Sequence, residues 1–318
     1  MTGNAKRYYR DWSATEPTLP IFSKGWWLDA VAPDGWSVTI VENDGSVAAC
    51  MPYIKFRKGP YTVLGMPPLT QNLGPWISHS SAKYPKRLAR EKDLMGKLID
   101  HLPDYHGFYQ NWHYSRSNWL PFYWRDFSQT TRYTYVIEGL SKLDAVFSEF
   151  EHSKRKNIKK AEESVIVSWD LGPDEFYHNH KMTLRKQGQT IAYSYDVFRR
   201  VYDSSHQRGM GRILAAYDSS RNLHAALFIV FDEMSAYDLI STIDPDFRAS
   251  GAASLLVKEA IKYTAERGLN KFDFEGSMIE SVERSFRNFG ARQVPYHAVS
   301  HVPSRTFRVV KAFGQFLK

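Results

Sequence analysis

The sequence predicts a mixed α/β chain of two sheet domains built on a similar plan. Three strand-like runs, residues 212–217, 223–231 and 236–243, are separated only by the turn-like DSSRN and DEMS, and so read as an antiparallel meander. A long helix pattern at 252–267, stopped by Gly268, and a further strand at 271–274 add a crossover to it. The first half repeats this order of elements without repeating the residues. Strands at 36–42 and 47–54 are joined by Asn43-Asp44-Gly45, a hairpin signal, and a strand at 61–64, a helix at 84–101 and a strand at 105–112 follow. The expected domains are residues 1–135 and 136–318, each a mixed, mostly antiparallel sheet flanked by helices, with TRYTYVIEGL a strand of either one.

The remaining elements follow in order. A first helix carries Trp26, Trp27 and Leu28. Residues 141–150 place Leu143, Val146, Phe147 and Phe150 on one helical face. Ser153 is the expected cap of a basic helix, SKRKNIKKAEES, which precedes the short strand VIVSW. Helices at 174–187 and 194–207 are stopped by Gly188 and Gly209. A last helix at 280–288 ends at Gly290, and a strand at 293–302 follows.

Composition narrows the function classes. With 318 residues, 43% of them hydrophobic, the chain can bury a sizeable core, and no apolar run approaches the ~20 residues of a membrane helix. The opening MTGNAKRYYRDW has no apolar core of signal-peptide type, and the lone Cys50 excludes an internal disulfide and a cysteine metal cluster, so a cytoplasmic protein without metal is expected. His178, His180 and His206 have no metal spacing and are read as surface or hydrogen-bonding residues. A net charge of +8, with cations gathered at 83–92, 154–160 and 305–318, points to anionic partners. The tryptophans of the first half, Trp26, Trp27, Trp76, Trp112, Trp119 and Trp124, shape an acceptor cleft or simply pack.

Chemistry concentrates in LISTIDPDFRASGAAS, where the third meander strand gives way to the long helix. Pro245 ends pairing because it has no donor. Arg248, Gly251 and Ala253 stand in an R-x-x-G-x-A spacing, with small side chains at the helix start. The first amides of a helix lack partners inside it and carry partial positive charge, so the amides of Ser250, Gly251, Ala252, Ala253 and Ser254 suit a pyrophosphate, with Arg248 as a flexible cation. The plainer alternative is a tight turn before a helix that packs closely on the sheet.

This segment resembles the acyl-coenzyme-A loop of the GNAT acyltransferase superfamily, and the element order of the second half is similar to that fold. A doubled GNAT fold resembles the branch that holds the Fem peptidyltransferases and their acetyltransferase relatives of polysaccharide and cell-envelope pathways. "SKRKNIKKAEE", "FDFEGS" and "FRNFGA" are further resemblances to that branch. The resemblance implies two tandem GNAT-like domains, a pyrophosphate on the amides of residues 250–254, and pantetheine and acyl carbonyl held by backbone near Ile243.

In FDFEG, Asp273 and Glu275 alternate with two phenylalanines and end beside that loop, so either carboxylate could take the proton of an attacking ammonium; Glu275 is the first choice and Asp273 the second, with a structural acid as the alternative for each. Many GNAT enzymes place a proton-donating Tyr where this chain has Phe286; Tyr237 and Tyr193 are candidates to replace it. The matching loop of the first half, GMPPLTQNLGPW, has prolines where amide donors would be needed. The leading expectation is an N-acyltransferase that moves an acyl group from acetyl-CoA or another acyl-CoA to an amine of an amino sugar, amino acid or envelope precursor. A second reading takes aminoacyl groups from tRNA, with residues 154–160 on RNA phosphates. A third is a non-catalytic GNAT-like binding protein. No DNA partner is expected.

Overall fold

The computed structural model describes residues 2–316; Leu317 and Lys318, the end of the third cation cluster, lie outside them. In chain order the elements are α1 (Thr2–Thr15), α2 (Gly25–Val31), β1 (Trp36–Asn43), β2 (Ser46–Lys58), β3 (Tyr61–Gly65), β4 (Trp76–Ile77), α3 (Tyr84–Asp100), β5 (Gly107–Asn111), α4 (Leu120–Tyr123), β6 (Ser128–Glu138), α5 (Leu143–Ser148), α6 (His152–Glu162), β7 (Ile166–Ser168), α7 (Pro173–Lys186), α8 (Tyr195–Gln207), β8 (Gly211–Tyr217), β9 (Leu223–Phe231), β10 (Ala236–Ile243), α9 (Ala252–Glu266), β11 (Lys271–Asp273), α10 (Glu280–Arg287), β12 (Arg292–His301) and α11 (Arg305–Phe316). Contacts divide the chain into Met1–Arg132 with Pro295–Lys318, and Tyr133–Val294. Residues 295–318, expected in the second domain, group with the first. No helix among the described residues is long and apolar enough to cross a membrane.

Both units repeat one plan, and each is α/β. In the first, β1, β2 and β3 form an antiparallel meander, and after α3 the strand β5 pairs parallel to β3 through Val63↔Gly107 and Leu64↔Phe108. The later part of β12 closes antiparallel on β5, Ala298↔Asn111 to His301↔Phe108. Leu94, Met95 and Leu98 of α3 pack with Met51, Phe108 and Trp112, and all are buried. In the second unit β8, β9 and β10 form the meander, and after α9 the strand β11 pairs parallel to β10. Antiparallel β7 extends one edge along β8, and β6 pairs antiparallel with β11.

The crossover helix fixes the site's position because both its ends are held. Leu255, Leu256 and Ile261 of α9 bury against Leu227 and Ile229 of β9 and against Ile158 and Ala161 of α6. Each such side chain contributes ~1.5–3 kcal/mol on burial. Helix α6 lies along α9; its N-cap is Glu151, without a side-chain cap bond, rather than the expected Ser153. The opposite face of the meander is covered by α7 and α8, where Phe176 and Phe198 meet Phe228.

Candidate functional site

Parallel pairing between β10 and β11 consists of Ala236↔Phe272 and Tyr237↔Asp273. Beyond it β10 runs on to Ile243, with an irregularity between Asp238 and Ile240, whereas the other chain turns away after Phe274, whose N–H donates to Tyr135 O. The turn is made by two left-handed residues, Glu275 (φ 58°) and Gly276 (φ 76°). Glycine is required at the second: a methyl group there would lie 2.2 Å from Tyr133 O. β11 thus ends at Asp273, short of the expected 274, and Glu275 stands past the strand.

Three carboxyl groups gather here, and the charges of two act on the third. Asp273 is 2% exposed and accepts from the Thr134 hydroxyl and, at 2.8 Å, from the Glu275 N–H. Burial pushes its carboxyl up to about 6, against the lowering effect of those bonds. Glu275 Oε1 is buried and has no hydrogen-bond partner among the described residues. Burial, then the charges of Asp273 and Asp238, hold the Glu275 carboxyl well above the usual range. Asp238 is 8% exposed and receives the Ser241 hydroxyl at 2.8 and 3.1 Å; burial raises it to about 7. Sequence reasoning missed Asp238, whose only signal was one acid inside the apolar run AYDLISTI. Carboxyls raised toward neutrality can take a proton from an ammonium and return it near pH 7.

The loop before α9 has the expected backbone and an unexpected cover. Residues Pro245–Ser250 form a 3-10 turn, and Gly251 follows at φ 82° as the N-cap residue of α9. Arg248 is exposed, and Ile243 ends β10 half-buried. Gly251, Ala252 and Ser254 are buried. A methyl group at Gly251 would lie 2.2 Å from the carbonyl oxygen of Asn157, so α6 sits directly on the loop. On the same side Lys160 Nζ donates to Ala249 O at 2.7 Å. Of the amides proposed for a pyrophosphate, that of Ala252 donates to Ser250 Oγ at 3.2 Å and that of Ser254 to Gly251 O at 2.9 Å. Lys186 of α7 pins the approach through Asp244 (2.7 and 2.9 Å) and Asp246 (2.6 Å).

The tyrosines divide. Tyr237 is fully buried, and its hydroxyl donates to Asp232 Oδ2 at 3.1 Å, in the turn between β9 and β10, at the far end of β10 from Ile243. The structure therefore does not bring it to the loop. Tyr193 lies just before α8; its hydroxyl is buried without a hydrogen-bond partner, and its ring stacks on His180 at 6.4 Å. His180 is itself buried rather than on the surface, and burial lowers its imidazole to about 4. Phe286 stacks on Phe274 at 4.7 Å and packs beside Tyr135. Among the described residues no group of three His, Cys, Asp or Glu side chains is placed to hold a metal ion.

Comparison with known proteins bears on the fold. Residues 148–279 match the acetyltransferase (GNAT) domain family. No curated protein matches the chain. Among solved structures, FemX superposes with a TM-score of 0.70 at 13% identity, over 92% of this chain and 95% of its own. L-PGS from Bacillus licheniformis gives 0.55 at 10% identity, over 98% and 95%. A tandem GNAT protein from the clavulanic acid biosynthesis pathway gives 0.50 at 10% identity, over 94% and 93%. Residues 148–279 are thus similar to the acetyltransferase (GNAT) domain family, and the chain as a whole shares the fold of FemX and of the tandem GNAT protein.

Proposed function

We propose that the second unit transfers an acyl group to an amine, with Glu275 accepting a proton from the incoming ammonium to free the attacking amine, and Asp273 and Asp238 sharing that proton. The observation that carries this reading is the carboxyl trio where β10 and β11 part, with one buried oxygen of Glu275 left unsatisfied. As the amine nitrogen bonds to the carbonyl carbon, its proton passes to Glu275; the carbonyl re-forms as the bond to the leaving group breaks, and the leaving group takes up a proton. Phe286 supplies none, so a thiolate departs unaided or takes its proton from the trio. The acceptor is an amino sugar, an amino acid or an envelope precursor.

Two donors compete. Acyl-coenzyme A, the first reading, is supported by the match over residues 148–279 and by the left-handed Gly251 in its R-x-x-G-x-A loop. In that reading Ile243 guides the pantetheine, Arg248 faces the diphosphate, and the amides of Ser250, Gly251, Ala252, Ala253 and Ser254 receive it. The diphosphate would have to displace Ser250 Oγ from Ala252 and find room beside Asn157. That cover favours the second reading, an aminoacyl ester of tRNA, whose phosphates would meet the exposed Lys156 and Lys159 of α6 instead. Calorimetry with acetyl-CoA and with charged tRNA separates the two, the tRNA arm run at two salt concentrations. Mass spectrometry of amide products from an amine panel then tests the chemistry. Should the wild type bind neither donor, the transferase reading falls and the non-catalytic one takes its place.

A further inference from the structure

Helix α6 does more than cover the loop. Lys154, Asn157 and Lys160 recur every third residue and so share one edge of the helix. Asn157 abuts Gly251, Lys160 holds Ala249 O, and Lys154 reaches α10, where its Nζ donates to Ser285 Oγ at 2.8 Å. The edge therefore runs from α10 to the loop that precedes α9.

At the α10 end the ammonium is half-buried and lies 4.1 Å from the centre of the Phe289 ring. No carboxylate lies within salt-bridge distance of it among the described residues. Nearby charges are otherwise engaged: Arg155 donates to the carbonyls of Ser148 and Phe150, Arg287 pairs with Glu283, and Arg284 pairs with Glu280. Burial alone pushes the Lys154 amine down to about 8. An ammonium has three donors, of which Ser285 takes one. A part-desolvated cation without a counter-charge is destabilising by itself and is stabilised by an arriving anion.

We infer that Lys154 binds a phosphate of the acyl donor at the junction of α6 and α10, beside the partly covered amides before α9. This rests on the donor reading above, in which both candidate donors carry phosphates. A purely structural lysine, seated on the last turn of α10, would respond differently to the test.

The test is ADP binding to the full chain by calorimetry at about pH 7.5 and about pH 9.5, in the wild type, Lys154→Met and Lys154→Arg. Exposed lysines stay charged across that window, whereas Lys154 loses its proton. Wild-type affinity is expected to fall about tenfold between the two pH values. Lys154→Arg should bind within about twofold at both, because a guanidinium keeps its charge; Lys154→Met should bind about tenfold more weakly than the wild type at the lower pH. Acetyl-CoA and bulk tRNA, run in parallel, name the source: weaker acetyl-CoA binding in Lys154→Met assigns the coenzyme diphosphate, and weaker tRNA binding assigns the RNA backbone. Equal binding of all three probes by wild type and Lys154→Met overturns the inference while leaving the donor reading intact. A wild type that binds none of the three overturns both.

Discussion

Gly251→Ala measures how firmly α6 is seated on the loop. Two terms act at this position. A left-handed φ of 82° disfavours any side chain, by ~1–2 kcal/mol for alanine. The new methyl group would also lie 2.2 Å from Asn157 O and 3.1 Å from Asn157 Cα, with backbone and no flexible side-chain tip to yield. Overpacking of this kind adds ~1–3 kcal/mol. Gly268, just past the other end of α9, isolates the first term, because its φ is 78° and nothing lies within 4 Å of an added methyl group. For a unit of this size each kcal/mol moves Tm by about 2–4 °C. Thermal unfolding should therefore place Gly251→Ala about 5 °C below Gly268→Ala, itself a few degrees below wild type. Equal Tm values for the two variants would show that α6 does not bear on the loop. The diphosphate seat would then be open to acyl-coenzyme A.

Other outcomes bear on the carboxyl cluster and its neighbours. Glu275→Gln should lower kcat about 10²–10⁴-fold and leave donor affinity unchanged; full turnover would remove Glu275 as the base. Burial pushes the Asp238 carboxyl up to about 7, above its ordinary value of 3.8. A carboxyl raised in this way adds stability below its unfolded value and loses it as pH rises through its folded value. Wild-type Tm should accordingly decline between about pH 4 and pH 7, whereas Asp238→Asn removes its ~2–4 kcal/mol share of that decline; parallel curves would contradict the raised carboxyl. Tyr237→Phe should cost ~1 kcal/mol through the lost bond to Asp232 and change turnover less than about twofold. A hundredfold loss of turnover would restore it as a proton donor.

Local signals carried much of this fold. The meander from β8 to β10, its crossover and the fourth strand follow from turn residues and periodicity, and the left-handed Gly251 follows from the small-residue junction. Long-range packing hid the rest. Nothing within SKRKNIKKAEE says that Asn157 will press on Gly251, because the two are brought together only by burial of Ile158 and Ala161 against α9. Tyr237 looked as available as any tyrosine until Asp232, across a tight turn, took its hydroxyl. The alternation argument placed Asp273 and Glu275 on one face, whereas the chain leaves strand geometry between them and joins them through the Glu275 N–H. Helix α1 was missed because it is polar enough to read as a tail, and α11 because its basic, apolar residues suggested a tail rather than an element of the fold.

The path of the last two dozen residues limits how such a protein can be divided. Because Ala298–His301 completes the first unit beside β5, and Phe307 fills the space that Gly107 leaves bare, a cut after Val294 removes a wall from the half it was meant to spare. The first unit is therefore not a contiguous cassette, and recombination at the midpoint would exchange the second unit together with a piece of the first one's scaffold.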